Sequence, residues 1–308
     1  MKLYFAPMEG ITTYIYRNTH NMFFGFCDEY YAPFIAPSEN ERITKKTLKD
    51  VLPENNSSLK LKVQILTNIP NAFNGFVPKI KEIGYDEINL NIGCPAGTVV
   101  GKGRGAGFLR YPDDLDTFLD NIYTNNDIRI SLKTRIGYDS PEEMYNLLDI
   151  YNKYPASELI IHPRIRQEFY KGYPHMAIFD YCYNNSSNTV CYNGNIFTYE
   201  DYIEIGRKYD NLSAVMIGRG AVADPGIFRN IKTGCRTTRD ELVNFTELLA
   251  DNYNKVLKSD TYTLHKLKEV WIYMIQNFDD CKKQFKTMKK TDSLSEFISA
   301  INSLSEIK

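Results

Sequence analysis

The stretch NLNIGCPAGTVVGKGRGAG, Asn89 to Gly107, puts Cys94 just after a short apolar run and sets four glycines at every second position behind it. A thiol in that setting is either a reactive group or a small buried apolar side chain. The glycines suit a phosphate cradle, a nucleotide-binding turn or a plain loop. Their G-x-G spacing is no dinucleotide fingerprint, which belongs at the first strand-to-helix turn and leads directly into a helix. The order G-x-x-x-x-G-K-[ST] of a phosphate-binding loop is missing too. A mobile basic loop carrying Lys102, Arg104 and Arg110 fits these residues better.

Other residues with chemical capacity recur at the ends of short apolar runs. Pro7, Met8 and Glu9 follow the first run, Gln64 lies in the third, and Lys133 in the fifth. His162 and Arg164 close the sixth, Asn193, Gly194 and Asn195 the seventh, and Gly218 and Arg219 the eighth. Singly each has a bland reading: a snorkelling lysine, a hydrogen-bonded histidine, a turn. Together they describe the lining of one pocket.

Eight β-rich runs carry them, at 3–8, 27–34, 61–66, 87–92, 128–134, 158–163, 189–194 and 214–218. Between several lie helix-like stretches, clearest in PDDLDTFLDNIY, SPEEMYNLLDIYNKY and TYEDYIEIGRKY. Each begins with a capping or acidic residue and carries apolar residues at three- and four-residue steps. The alternation predicts an α/β protein built as a parallel (β/α)8 TIM barrel, with a doubly wound sheet as the alternative. In such a barrel, active sites gather at the C-terminal ends of the strands. There the glycines after the seventh and eighth runs suit a phosphate, with Arg219 as a clamp. Lys133 suits the pyrimidine edge of a flavin, where reduction builds negative charge, and Gln64 the ring's carbonyl and N–H edge. After about Cys235 the strand pattern stops and amphipathic helical stretches follow, with Trp271 as their packing anchor. The expected division is a barrel over 1–235 and an all-helical domain over 236–308.

Composition sets the outer limits. Of 308 residues, 43% are apolar and 24% charged, as in a soluble globular protein. No apolar run approaches the roughly 18 residues of a membrane span. Pro7 and Glu9 interrupt the N-terminus before a signal-peptide core, so a cytoplasmic protein is expected. Six cysteines without a C-x-x-C pair argue against a zinc site and a disulfide framework, and no metal is expected. A net charge of −1 gives no global pull toward nucleic acid, leaving that to local patches. One patch is CKKQFKTMKK (281–290), with five lysines and no acid. Such a run is ordinarily a solvated face, but Lys282, Lys283 and Lys286 also suit an RNA backbone.

The motifs APMEGIT, NLNIGCP, GAGFLRYP, SLKTRIGYD, IHPR, NGNI and AVMIGRGA, in this order, resemble the tRNA-dihydrouridine synthases, and their bacterial branch in particular. The resemblance implies an enzyme that uses FMN and NADPH to reduce the C5–C6 double bond of a tRNA uridine. It implies Pro7, Met8 and Glu9 under the flavin, with Gln64, Lys133 and His162 against it. Asn193, Gly194, Asn195, Gly218 and Arg219 would hold the ribityl chain and phosphate. Lys102, Arg104, Arg164 and Arg166 are expected to meet RNA together with the lysine-rich tail. Cys94 aligns with the family's acid, and a thiol that ionises only near pH 8.5 or so is protonated at neutral pH and able to donate. A nucleophilic thiol would need a lowered pKa and a base, and no histidine stands near it in the sequence. Departures occur where the family has His-Gly-Arg-Thr and this chain has HPRI (162–165), and where its usual glycine is Thr67. Two other readings stay open: an FMN barrel dehydrogenase of a free pyrimidine, and a non-catalytic RNA-binding protein. A monomer is expected.

Overall fold

The structure, a computed structural model, describes residues 1–37, 43–277 and 282–305. Eight parallel strands close into a barrel in sequence order. They are β1 (Lys2–Phe5), β2 (Glu29–Tyr31), β3 (Leu61–Ile65), β4 (Glu87–Ile92), β5 (Arg129–Gly137), β6 (Leu159–Ile165), β7 (Val190–Tyr192) and β8 (Ala214–Ile217). Closure comes from β1 pairing with β8, with Phe5 opposite Ile217. The doubly wound alternative is thereby excluded.

The strands form where β-branched and aromatic residues cluster, because both faces of a barrel strand are covered. One face packs on the outer helices, in a core that includes Val63, Leu90, Leu132 and Ile161. The other fills the barrel. Tyr4, Tyr31, Ile160, Cys191 and Met216 make an apolar interior cluster, while Gln64, Asn89 and Ser131 line the β3–β5 sector with polar groups. The helices begin as their sequences dictate. Thr198 accepts from Asp201 N and opens Tyr199–Lys208, and Thr238 does the same from Glu241 N for Arg239–Leu257.

Past the barrel run the helices Arg239–Leu257, Asp260–Met274, Lys282–Lys290 and Leu294–Ser305. Trp271 is fully buried among them, and its indole N–H donates to Thr246 Oγ1 at 3.1 Å. These helices also touch the barrel: Lys266 Nζ donates to Gly10 O at 2.9 Å, and Phe245 packs edge-on against Tyr16.

At the N-terminal floor of the barrel, Glu158 is 8% exposed and accepts from Ser213 Oγ at 2.7 Å and Tyr4 OH at 3.3 Å. Burial pushes its carboxyl up to about 7, with repulsion from Glu29 adding to the effect. The folded state therefore keeps this proton where the unfolded chain has lost it, and stability falls as pH rises from the ordinary carboxylate range to about 7. Glu158→Gln is expected to stabilise the protein by about 2 kcal/mol at pH 8, with the gain vanishing toward pH 4. Urea melts of both proteins at the two pH values check this; an equal gain at both would contradict it.

Candidate active site at the C-terminal mouth of the barrel

The strand ends on the other side open into a cavity of about 320 Å³. The sectors from β1 to β6 contribute: Pro7, Met8 and Glu9 after β1, Pro33 and Phe34 after β2, Gln64 from β3, Cys94 after β4, Lys133 and Arg135 from β5, and His162 from β6. Tyr273, from the helix Asp260–Met274, closes one side. A smaller chamber of about 50 Å³ shares Pro7, Met8, Lys133 and His162 with it and adds Asn193, Gly194, Gly218 and Arg219. Residues read from seven separate runs thus line two adjoining chambers.

A chain of buried amides crosses the barrel to Cys94. Asn89 Nδ2 donates to Ser131 Oγ, Gln64 Nε2 to Asn89 Oδ1 at 2.7 Å, and Asn91 Nδ2 to Gln64 Oε1 at 2.8 Å. Asn91 Oδ1 then accepts from Gly93 N and, at 2.8 Å, from Cys94 N. Gln64 is therefore locked in one orientation, and so is the backbone that presents the thiol. Cys94 is half-buried, and burial pushes its thiol up from the ordinary value; Glu9 adds to this, while the N–H of Ala96 and the charges of Arg135 and Lys133 oppose it. The net direction keeps the thiol protonated.

Its neighbours carry the opposite pattern. Lys133 Nζ donates to Asn193 Oδ1 at 2.7 Å, and burial, then repulsion from Arg135, pushes it down to about 8. His162 is driven well below its ordinary value by burial and by Arg135, so it is neutral. Arg164 Nη1 lies 3.0 Å from His162 Nε2. A guanidinium only donates, which places the imidazole proton on Nδ1. Arg219 donates to Asn195 Oδ1 at 2.8 Å and lies over the Tyr170 ring.

Two expectations need correction. Arg164, read as an RNA contact, is fully buried, and it also donates to the carbonyls of Lys171 and Gly172. It shares the inward face of β6 with His162, so its charge serves the fold of the β6 loop. The second half of the glycine string after Cys94 is packed against the protein and is no open loop: Gly105 to Leu109 are buried, while Gly101 is exposed and Gly103 half-buried. Gly105 has φ +55°, and a Cβ there would meet the Cys94 carbonyl at 2.7 Å. That carbonyl accepts from Ala106 N at 2.9 Å. Gly105 and Ala106 clamp the cysteine.

Lys102 is exposed and Arg104 half-buried, the latter donating to Asn68 Oδ1. Arg166 is half-buried at the end of β6, and Lys286 is exposed. The side chains of Lys282 and Lys283 lie outside the described residues, as does Cys281. At the two departures, Pro163 uses its carbonyl to accept from His175 N, and buried Thr67 accepts from Ile69 N.

Sequence reasoning missed Asn91, Arg135, Phe169, Tyr170 and Tyr273, which also line the cavity. Arg135 had a signal, since it stands two residues after Lys133 on the same strand face. It is buried and donates to Gly93 O at 2.9 Å, Ile165 O at 3.0 Å and Phe169 O at 2.7 Å, joining the cysteine loop to the β6 loop.

The small chamber fits an anionic group and the larger one a polar ring. Lys133 and Arg219 supply the charge, and the glycines keep the walls back: a Cβ on Gly218 would stand 3.3 Å from Ala6 Cβ. Among the described residues, no group of three metal-ligating side chains exists and no helix is long and apolar enough to cross a membrane.

Comparison with known proteins agrees with this geometry. The old yellow enzyme from Trypanosoma cruzi shares the fold with a TM-score of 0.52 at 10% identity, over 82% of this chain and 93% of that one. The tRNA-dihydrouridine(16) synthase of Escherichia coli K12 is 24% identical, covering 99% of this chain and 98% of its own length. That of Shigella flexneri is 23% identical over the same shares. The family profile described as dihydrouridine synthase matches residues 4–307, and the chain belongs to the dihydrouridine synthase family.

Proposed function

We propose that this flavin- and NADPH-dependent oxidoreductase reduces a uridine of tRNA to dihydrouridine, with Cys94 as the acid. The observation that carries the reading is the placement of a protonated thiol in one cavity with Gln64, Lys133 and His162, directly beside a cationic chamber. FMN suits this pair of chambers: Asn193, Gly194, Asn195, Gly218 and Arg219 hold its phosphate and ribityl chain, and Pro7, Met8, Glu9, Gln64, Lys133 and His162 its ring. When bound and reduced by NADPH, the flavin supplies a hydride to uracil C6.

The chain's own groups do the rest. Reduction at C6 leaves negative charge across C5 and the adjoining carbonyl, and Cys94 quenches it by giving its proton to C5. The amide chain through Asn91 fixes where that proton is presented. Neutral His162 keeps its proton on Nδ1, and Lys133 holds positive charge at the ring's electron-rich edge. The target uridine enters by leaving its stack, which exposes both ring faces to the cavity.

Residues 1–235 act in this reading as the catalytic barrel, and 236–308 as the tRNA-binding domain. Lys102, Arg104 and Arg166 on the rim, with Lys282, Lys283 and Lys286 on the tail, contact the RNA backbone. The protein works in this reading as a monomer, and in the cytoplasm, where its tRNA substrate would be found.

The test incubates the FMN-loaded protein and NADPH with unmodified tRNA, free uracil or orotate. Dihydrouridine is expected in tRNA alone. Uridine 16 is the first position to map, because the relatives just compared are named for it. Turnover of a free pyrimidine without turnover of tRNA would overturn the proposal.

A further inference from the structure

The cavity rim over β4, β5 and β6 carries guanidinium groups alternating with aromatic rings. Arg110 lies over the Tyr138 ring, 4.7 Å from its centroid. Arg166 lies 5.7 Å from the same centroid and 5.0 Å from that of Phe169. Phe169 lines the cavity and is 40% exposed, so the row runs from the site outward to solvent.

Two features set this row apart from ordinary surface packing. Phe169 adopts φ +52° with ψ −95°, a positive-φ conformation that bulky residues rarely occupy, and Arg135 holds its carbonyl at 2.7 Å. The backbone is bent so that an aromatic ring faces the mouth. Arg110 and Arg166 have no carboxylate partner among the described residues, and the buried Arg166 Nε has no hydrogen-bond partner at all. The charge is left open while the rings are held in place. Cations interleaved with presented aromatic faces match a partner that is both anionic and flat-ringed, which is a nucleic-acid strand.

We propose that Phe169, backed by Arg166, is a stacking platform for the nucleotide next to the uridine that enters the cavity, with Arg110 and Arg166 holding the adjoining backbone. The proposal rests on tRNA being the substrate. It gives Phe169 a positioning role: the neighbour's base stacks on the rim, and the target is drawn out of its own stack toward Cys94.

The test uses tRNA carrying 2-aminopurine on one side or the other of the uridine that the wild-type enzyme reduces. On binding, the fluorescence of one probe is expected to be quenched by stacking. Phe169→Ala should abolish that quenching and raise KM for tRNA by about 5- to 150-fold, with kcat changed far less. Phe169→Tyr keeps a ring and should keep both the quenching and the KM, which separates stacking from a folding defect. Unquenched probes on both sides, or a wild-type KM in Phe169→Ala, would overturn the proposal while leaving the tRNA activity standing. A wild-type protein that reduces no tRNA uridine overturns both.

Discussion

Cys94→Ala is expected to retain flavin and to oxidise NADPH with oxygen as acceptor, while dihydrouridine formation falls by about 10²- to 10⁴-fold. The reason lies in what the thiol can and cannot do in its setting. Burial raises its pKa, and the nearby cations do not reverse that direction. A thiol so placed is a poor nucleophile at neutral pH and a ready proton donor. Iodoacetamide should therefore alkylate Cys94 slowly at pH 7 and faster only as the pH climbs past the ordinary thiol range. Activity should stay flat through neutrality and decline in that same alkaline range, because the ionised form has no proton to give. Cys94→Ser, which keeps an O–H of higher pKa, should fall between wild type and alanine. Rapid alkylation at pH 7, or full dihydrouridine formation by Cys94→Ala, would remove the acid role.

The presentation of that thiol explains which parts of the molecule were legible beforehand. All eight strands could be read because barrel strands, covered on both faces, become short runs of β-branched and aromatic residues, as in ELIIHP. The polar residues at their ends could be read because a barrel offers only one place for them. What failed is what period and type leave ambiguous. Glycine serves both a mobile loop and a close backbone approach, and only the 2.7 Å that a Gly105 Cβ would have to the Cys94 carbonyl decides between them. Arg164 and Arg166 look alike in sequence, but the pleat turns the first inward to His162, while the second lies just past the strand on the rim. Tyr273 reaches the cavity from a helix whose register against the barrel no local pattern encodes. The helix Lys282–Lys290 is rich in lysine and escaped a reading based on apolar faces.

Lys133 carries the second large effect, and its sign follows from the same burial. The ammonium is pushed down to about 8, first by burial and then by Arg135, with Asn193 Oδ1 at 2.7 Å as its hydrogen-bond acceptor. It lines both chambers, so its charge is available to an anionic group in either. Below about pH 8 the lysine is charged and favours such a ligand; above it the empty site loses the proton, and binding must first restore it. FMN affinity of the cofactor-free protein should therefore hold up to about pH 7.5 and weaken once the pH passes about 8. Lys133→Met should bind FMN about 10- to 150-fold more weakly at pH 7, the range expected for one charged hydrogen bond. The variant should also lose the alkaline decline, since the titrating group is gone. Flavin fluorescence titrations from pH 6 to 9.5 measure both effects. An alkaline decline of the same midpoint in Lys133→Met would assign the titration to another group, and unchanged affinity at pH 7 would place the flavin away from β5.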